Sequence, residues 1–267
     1  MDLLSKNIAI LGAGNLGMAI GQGLVESKLK KAADIYMTRR NPSHLSHLVK
    51  DGYQIIKDNQ EAVKNSQIVL LCVQPKQLVK LLGEIESVLT KDHLLVSVIT
   101  GVSISEIKSH IKLHVPVVRV MPNTAIAIGE SMTCISADDS PENAIAVQKI
   151  FDTLGKTLVI EEKLMQAATV LGASGIAFFM RYLRAATQGG IQMGFHAEDA
   201  QLIAVQTAKG AASLILENGL HPEVEIDKVT TPEGCTIAGL NEMEHQGLSS
   251  ALIKGLMVSY EKIKNIR

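Results

Sequence analysis

Two hydrophobic rhythms divide the chain. Over roughly its first 160 residues, short apolar runs alternate with stretches whose apolar residues return every three or four positions, which predicts strands interleaved with helices. The first run, Ile8-Ala9-Ile10-Leu11, enters Gly12-Ala13-Gly14-Asn15-Leu16-Gly17. Leu16, Ile20 and Leu24 then share one stripe of a helix over 15–27. Gly21 and Gly23, poor helix formers, mark close packing of that helix on a sheet. Further strands are predicted at 34–37, 54–56, 67–73, 93–99, 115–121, 131–136 and 155–160. The run at 67–73 is apolar almost throughout, as a central parallel strand requires. Helices are predicted between them: from Pro42-Ser43 to Gly52, over 58–64, and through Leu78, Leu81 and Leu82. Another starts at Ser103, with Glu106 three residues on as a capping box, and a last at Ser140-Pro141-Glu142, with Ser140 as N-cap.

Beyond Glu161 the strand pattern stops. Ile176, Phe179, Met180, Leu183, Thr187, Gly190 and Ile191 follow one helical stripe, and Ala200, Ile203, Ala204, Thr207, Ala208, Ala211 and Ile215 another. Asn218-Gly219 ends the second, ahead of Pro222 and a polar loop, and two more helices are predicted over 236–245 and 248–264. The expected fold class is α/β: an N-terminal Rossmann-type doubly wound sheet over 1–160, binding a dinucleotide, followed by an all-α domain over 161–267. Small residues in the second part (Gly172, Ala173, Ser174, Gly175, Ala185, Ala186, Gly189, Gly190) allow close helix contact, between two copies or within one.

In such a sheet, ligands bind outside the carboxyl ends of the strands. Those ends are 12–17, 39–41, 73–75, 100–101 and 121–124, and each carries Gly, Pro or a polar residue. Gly12 permits the tight turn, Gly14 leaves room for a pyrophosphate against the backbone, and Gly17 lets the helix close on the strand. After the second strand, where an NAD-binding pattern has an acid for the ribose 2′-hydroxyl, stand Arg39 and Arg40. A guanidinium fork fits a 2′-phosphate, so NADP(H) is the preferred cofactor and NAD(H) the second choice.

Composition narrows the rest. The net charge is −1 and the pI about 6.7, so neither nucleic acid nor an anionic membrane is an expected partner. Cys72, Cys134 and Cys235 are too scattered for a zinc site or a disulfide framework, which suits the cytoplasm. No leader and no bilayer-spanning apolar run is expected. The pairs His44/His47 and His110/His114 have helical spacing but no acidic or Cys partner, so they read as surface residues and no metal site is expected. No activated Ser or Cys and no carboxylate pair is legible. The loop Thr230-Thr231-Pro232-Glu233-Gly234-Cys235-Thr236 remains. It reads as a helix cap, with Thr231 capping, Pro232 first in the helix and Glu233 facing its dipole, or as a nest of backbone N–H groups for a carboxylate. Local sequence favours the cap.

With that loop in view, nearly the whole chain resembles the pyrroline-5-carboxylate reductases. The most specific motifs are Met121-Pro122-Asn123-Thr124-Ala125 and Asp227-x-Val229-Thr230-Thr231-Pro232-Glu233-Gly234-Cys235-Thr236. The resemblance implies NAD(P)H-dependent reduction of the cyclic imine 1-pyrroline-5-carboxylate to L-proline. It also implies a helical dimerisation domain interlocking two subunits, with larger rings, up to a decamer, in some members. The implied cofactor contacts are Gly12, Ala13, Gly14, Asn15, Leu16, Gly17, Asn59 near the adenine ribose, Val73-Gln74-Pro75, Thr100-Gly101 and Asn123, and Leu11, Arg39 and Arg40 join them by position in the strand–turn pattern. Thr231, Gly234, Cys235 and Thr236 would hold the substrate, with the Thr236 hydroxyl, the catalytic group, meeting the ring nitrogen. A protonated imine is already an electrophile, which agrees with the lack of a protein nucleophile. Three residues depart from the family pattern: Glu233 where Gly is usual, Thr231 for Ser, and Ile176 for Pro. They keep two alternatives open: a reductase of another small imine or carbonyl compound, or an impaired cofactor-binding regulatory relative.

Overall fold

The computed structural model describes residues 5–138 and 141–263. It comprises two compact units, Met1–Ser174 with Tyr260–Arg267, and Gly175–Ser259. The strand pattern ends earlier than the first division, at Val159.

The first unit is built on one sheet of β1 (Ile8–Leu11), β2 (Ile35–Thr38), β3 (Gln54–Ile56), β4 (Ile68–Leu71), β5 (Leu94–Ser97), β6 (Val117–Met121), β7 (Ser131–Ala137) and β8 (Gly155–Val159). Their spatial order is β3-β2-β1-β4-β5-β6-β7-β8. Strands β1 to β6 are parallel, β7 runs antiparallel to β6, and β8 is parallel to β7. The reversal follows from the connection. Parallel neighbours need a crossover, and α1 (Asn15–Glu26), α2 (Ser46–Lys50), α3 (Asn59–Lys64), α4 (Leu78–Ile85) and α5 (Ile104–Ser109) fall between the first six strands. Between β6 and β7 there is only a tight turn over Thr124–Ile128, closed by Gly129 at φ 70. A crossover helix returns with α6 (Pro141–Phe151). Ser140, the expected cap of that helix, lies outside the described residues.

Alternation along the strands feeds both faces. Ile8 and Ile10 join Ile20 and Leu24 of α1 and Val147 and Ile150 of α6 on one side. Ala9 and Leu11 join Val63 of α3, Leu78 and Leu82 of α4 and Ile107 of α5 on the other. Burial of both strand faces is what the near-continuous apolar runs required. A Cβ on Gly21 would strike Met37 of β2, as close packing on the sheet demands, but one on Gly23 would strike Leu154, beyond α6, rather than the sheet. Ser103 caps α5 by accepting the Glu106 N–H at 3.0 Å.

The sheet is followed by α7 (Met165–Ala168) and a π-helical turn over Thr169–Ser174. The second unit holds α8 (Gly175–Gln192), α9 (Ala197–Asn218), α10 (Pro222–Asp227), α11 (Cys235–His245) and the first part of α12 (Leu248–Ile263). Helix α10 occupies the stretch where the sequence pattern predicts a polar loop, because a Pro just past a helix end ordinarily marks a stop. In fact Pro222 opens the helix, and His221 caps it by accepting the Glu223 N–H. The second unit buries little of its apolar stripes. In α8 only Thr187 and Gly190 are buried, and in α9 only Ala200 and Ala208. Phe179, Met180, Ile191, Leu202 and Leu216 stand exposed. The continuous helical run Glu162–Gln192 is long and apolar enough, by length and composition, to cross a membrane. This corrects the expectation that no such run exists: helical continuity through the π turn joins segments that the sequence pattern separates.

Candidate active site

The carboxyl ends of β1, β2, β4, β5 and β6 fall on one edge of the sheet, because those strands are parallel and paired in register. Leu11, Gly12, Ala13, Gly14, Asn15, Leu16, Gly17, Arg39, Arg40, Asn59, Val73, Gln74, Pro75, Thr100, Gly101 and Asn123 therefore all sit at the same end of the first unit. Thr231, Gly234, Cys235 and Thr236 form a separate group in the second unit.

Each glycine of the first turn has its own reason. Gly12 has φ +90, and a Cβ there would lie 2.7 Å from Val73 Cγ1 and 2.9 Å from the Cys72 carbonyl oxygen. Gly17 is needed for approach, since its Cβ would stand 3.0 Å from Ile10 Cγ2. Gly14 is different. Its backbone is extended, with φ −81 and ψ −160, and a Cβ there would meet only the Gly12 carbonyl oxygen, 4.0 Å away. No protein atom demands a glycine at 14; a ligand drawn against the backbone would. The amides of Gly12 and Ala13 are not available to that ligand, since both donate to the Thr38 carbonyl, at 3.1 and 2.7 Å. No side chain caps α1, so its first amides are left for an anion.

Beside this turn, Arg39 is half-buried and Arg40 exposed. Neither pairs with a carboxylate among the described residues, so two cations stand uncompensated at the end of β2. Asn59 accepts from the Thr38 hydroxyl at 2.6 Å and donates to Glu84 at 2.8 Å. Thr38, 2% exposed, thus ties the glycine turn to α3. Neither Thr38 nor Glu84 is legible from sequence, because a single Thr at a strand end and a single Glu in a helix carry no spacing signal. Asn123 is committed to the scaffold: its side chain accepts the Ala125 N–H at 3.0 Å and donates to the Gly172 carbonyl at 3.2 Å. The buried Arg119 of β6 donates to Glu162 at 2.9 Å, and the same Glu162 oxygen accepts the Ile104 N–H at 2.7 Å. These three links hold segment 162–172 to β6, to the loop that follows it and to the start of α5.

Burial pushes the Cys72 thiol up to about 12, so at neutral pH it is a neutral group beneath the glycine turn. The four paired histidines, His44, His47, His110 and His114, are all exposed, and no group of three or more metal-ligating side chains occurs among the described residues. A recess of about 400 Å³ lined by Lys6, Gln67 and His93 lies at the opposite, amino end of β1, β4 and β5, away from this edge.

In the second unit the cap reading of the loop is corrected. Helix α11 begins after Gly234, not after Thr231, and no side chain caps it. Thr231-Pro232-Glu233-Gly234 is instead a β-turn, closed by the Gly234 N–H on the Thr231 carbonyl at 3.0 Å. Pro232 at its second position and Glu233 at φ 59 are the signature of a type II turn, whose third residue favours glycine. The Gly234 N–H, which the Thr231 hydroxyl would accept in a cap, goes instead to the Thr231 carbonyl, and no side chain accepts from the first amides of α11, at Cys235 and Thr236. Gly234 is required by space, since a Cβ would lie 2.5 Å from Thr231 Oγ1. Glu233 is exposed.

Six parallel strands, a glycine turn with room for a pyrophosphate against its backbone and two arginines beyond the second strand fit a dinucleotide-dependent oxidoreductase. Comparison with known proteins agrees. Residues 7–101 match the family model described as NADP oxidoreductase, coenzyme F420-dependent, and residues 162–266 match the pyrroline-5-carboxylate reductase dimerisation domain. The chain is 50% identical to pyrroline-5-carboxylate reductase 1 of Dictyostelium discoideum, over 100% of its own length and 51% of that relative's, so it spans about half of that protein. It is 49% identical to pyrroline-5-carboxylate reductase 2 of the same organism, over 97% of this chain and 92% of the relative. Among solved structures, the Plasmodium falciparum pyrroline carboxylate reductase with NADP bound shares the fold, with TM-score 0.89 at 21% identity over 99% of each chain. The chain belongs to the pyrroline-5-carboxylate reductase family.

Proposed function

We propose that the protein reduces 1-pyrroline-5-carboxylate to L-proline with NADPH. The observation that carries this reading is the uncapped start of α11 behind the Thr231–Gly234 turn: it offers backbone donors and a positive helix end to a substrate carboxylate, with the Thr236 hydroxyl one residue further on. Family membership supports the same assignment.

The residues of the glycine turn fit the dinucleotide, since Gly14 leaves open the space that any side chain would fill. Arg39 and Arg40 meet the adenosine 2′-phosphate, which favours NADPH over NADH. When bound, the nicotinamide supplies the hydride. The chain's own task is to hold the imine and keep it polarised. Cys235 and Thr236 bind the carboxylate through their amides, and the Thr236 hydroxyl hydrogen-bonds the ring nitrogen as it gains electron density. Cys72 stays a thiol and adds no charge beneath the turn.

The exposed apolar faces of α8 and α9 belong, in this reading, to a second copy of the chain, since they lie within the matched dimerisation domain. Arg181 and Arg184 interrupt α8 and would be expensive inside a bilayer, so the run at 162–192 is assigned to dimerisation. A homodimer is the basic unit, with a larger ring such as a decamer built from it, and the cytoplasm is its compartment. The test is NADPH oxidation on adding the imine. Well-folded, dinucleotide-binding protein that gives no proline overturns the assignment.

A further inference from the structure

Dinucleotide folds that prefer NADH place an acid at the end of the second strand for the ribose 2′-hydroxyl. Here that position holds Arg39 and Arg40. The structure nevertheless brings a carboxylate to the same corner from another element. Glu84 of α4 accepts from the Asn59 amide at 2.8 Å, and its own carbonyl accepts from the Gln60 amide at 2.7 Å, so two successive residues of α3 hold it in place. Asn59 in turn accepts from the Thr38 hydroxyl at 2.6 Å, and Thr38 is the last residue of β2. A carboxylate only accepts. Glu84 therefore fixes the Asn59 amide with its oxygen toward Thr38, and leaves a negative charge two hydrogen bonds from the strand end that the arginines follow.

We infer that Glu84, acting through Asn59, is a positioning residue that sets the choice between NADPH and NADH. The inference rests on the dinucleotide reading above. The Glu84 charge opposes the attraction of Arg39 and Arg40 for a 2′-phosphate, while the ordered Asn59 amide keeps a partner for a free 2′-hydroxyl. The chain so retains use of NADH despite its arginine pair.

Calorimetric titration of the intact protein with NADPH and NADH separately, at low and high salt, tests this without the imine. In Glu84→Gln, which keeps an acceptor for Asn59 but loses the charge, the ratio of NADPH to NADH affinity rises about three- to tenfold at low ionic strength. High salt shrinks the gain. In Glu84→Ala the affinity for NADH falls, because Asn59 loses its anchor. Glu61→Gln, which removes an exposed carboxylate of α3 outside this chain of hydrogen bonds, leaves the ratio unchanged. An unaltered ratio in Glu84→Gln, or an equal shift in Glu61→Gln, overturns the inference while the dinucleotide reading stands. Wild-type protein that binds neither dinucleotide overturns both.

Discussion

Substituting Gly14 by Ala separates a glycine kept for the fold from one kept for a ligand. The backbone at 14, φ −81 and ψ −160, is open to alanine, and the new methyl would have one protein atom near it, the Gly12 carbonyl oxygen at 4.0 Å. Gly14 is also the N-cap of α1, where alanine is poorer than glycine, and this offsets the freedom lost by the unfolded chain, so folding stability should change by less than about 1 kcal/mol. The methyl fills the space through which a pyrophosphate would reach the backbone, and NADPH affinity should fall about 10- to 100-fold, or about 1.4–2.7 kcal/mol. Gly12→Ala is the counter-example. At φ +90, with contacts of 2.7 and 2.9 Å to Val73 and Cys72, left-handed strain and overpacking together should remove about 2–4 kcal/mol. Thermal unfolding reads the first quantity and calorimetric titration the second. A Gly14→Ala protein that binds NADPH like wild type, or that loses as much stability as Gly12→Ala, would refute the reasoning.

Other substitutions probe the remaining parts. Arg39→Ala with Arg40→Ala should weaken NADPH by about tenfold or more and NADH little; equal losses in binding titrations would remove the 2′-phosphate argument. Thr236→Ala should lower kcat about 10- to 100-fold with NADPH affinity unchanged, and unchanged turnover would leave the hydroxyl without a role. Glu233→Gly should raise the melting temperature by relieving about 1 kcal/mol of left-handed strain at φ 59, with kcat/KM within about twofold; a lower melting temperature would contradict the turn assignment. Burial holds the Cys72 thiol up at about 12. Below the ordinary thiol range it is protonated whether folded or unfolded and adds no pH dependence. Above that range the unfolded chain ionises first, and stability falls as pH rises toward about 12. Thermal unfolding in alkali should therefore show a steeper loss for wild type than for Cys72→Ala, and parallel curves would refute the burial argument.

The chain alone determined the alternation of strand and helix, the glycine turn, the arginine pair and the helical second half. All of these are periodicities or fixed-spacing motifs, set by neighbours a few residues away. It also showed which residue broke the family pattern at 233, but not that the break places an exposed side chain on a left-handed backbone. That needed the β-turn, because a cap and a type II turn use the same residue types, Thr-Pro-Glu-Gly, and differ only in where the Gly234 N–H goes. The reversal of β7, the role of Pro222 and the length of the run through 162–192 also waited for the structure, since each turns on how a connection folds rather than on which residues it holds. The alignment of Thr38, Asn59 and Glu84 belongs to the same class. These positions lie 21 and 25 residues apart, and only the packing of α3 between β2 and α4 makes one hydrogen-bonded line of them. Local pattern specifies elements; which distant polar groups meet is settled by packing, because the buried Thr38 hydroxyl must find a partner wherever the fold has placed one, and α3 brings Asn59 to it and Glu84 to Asn59.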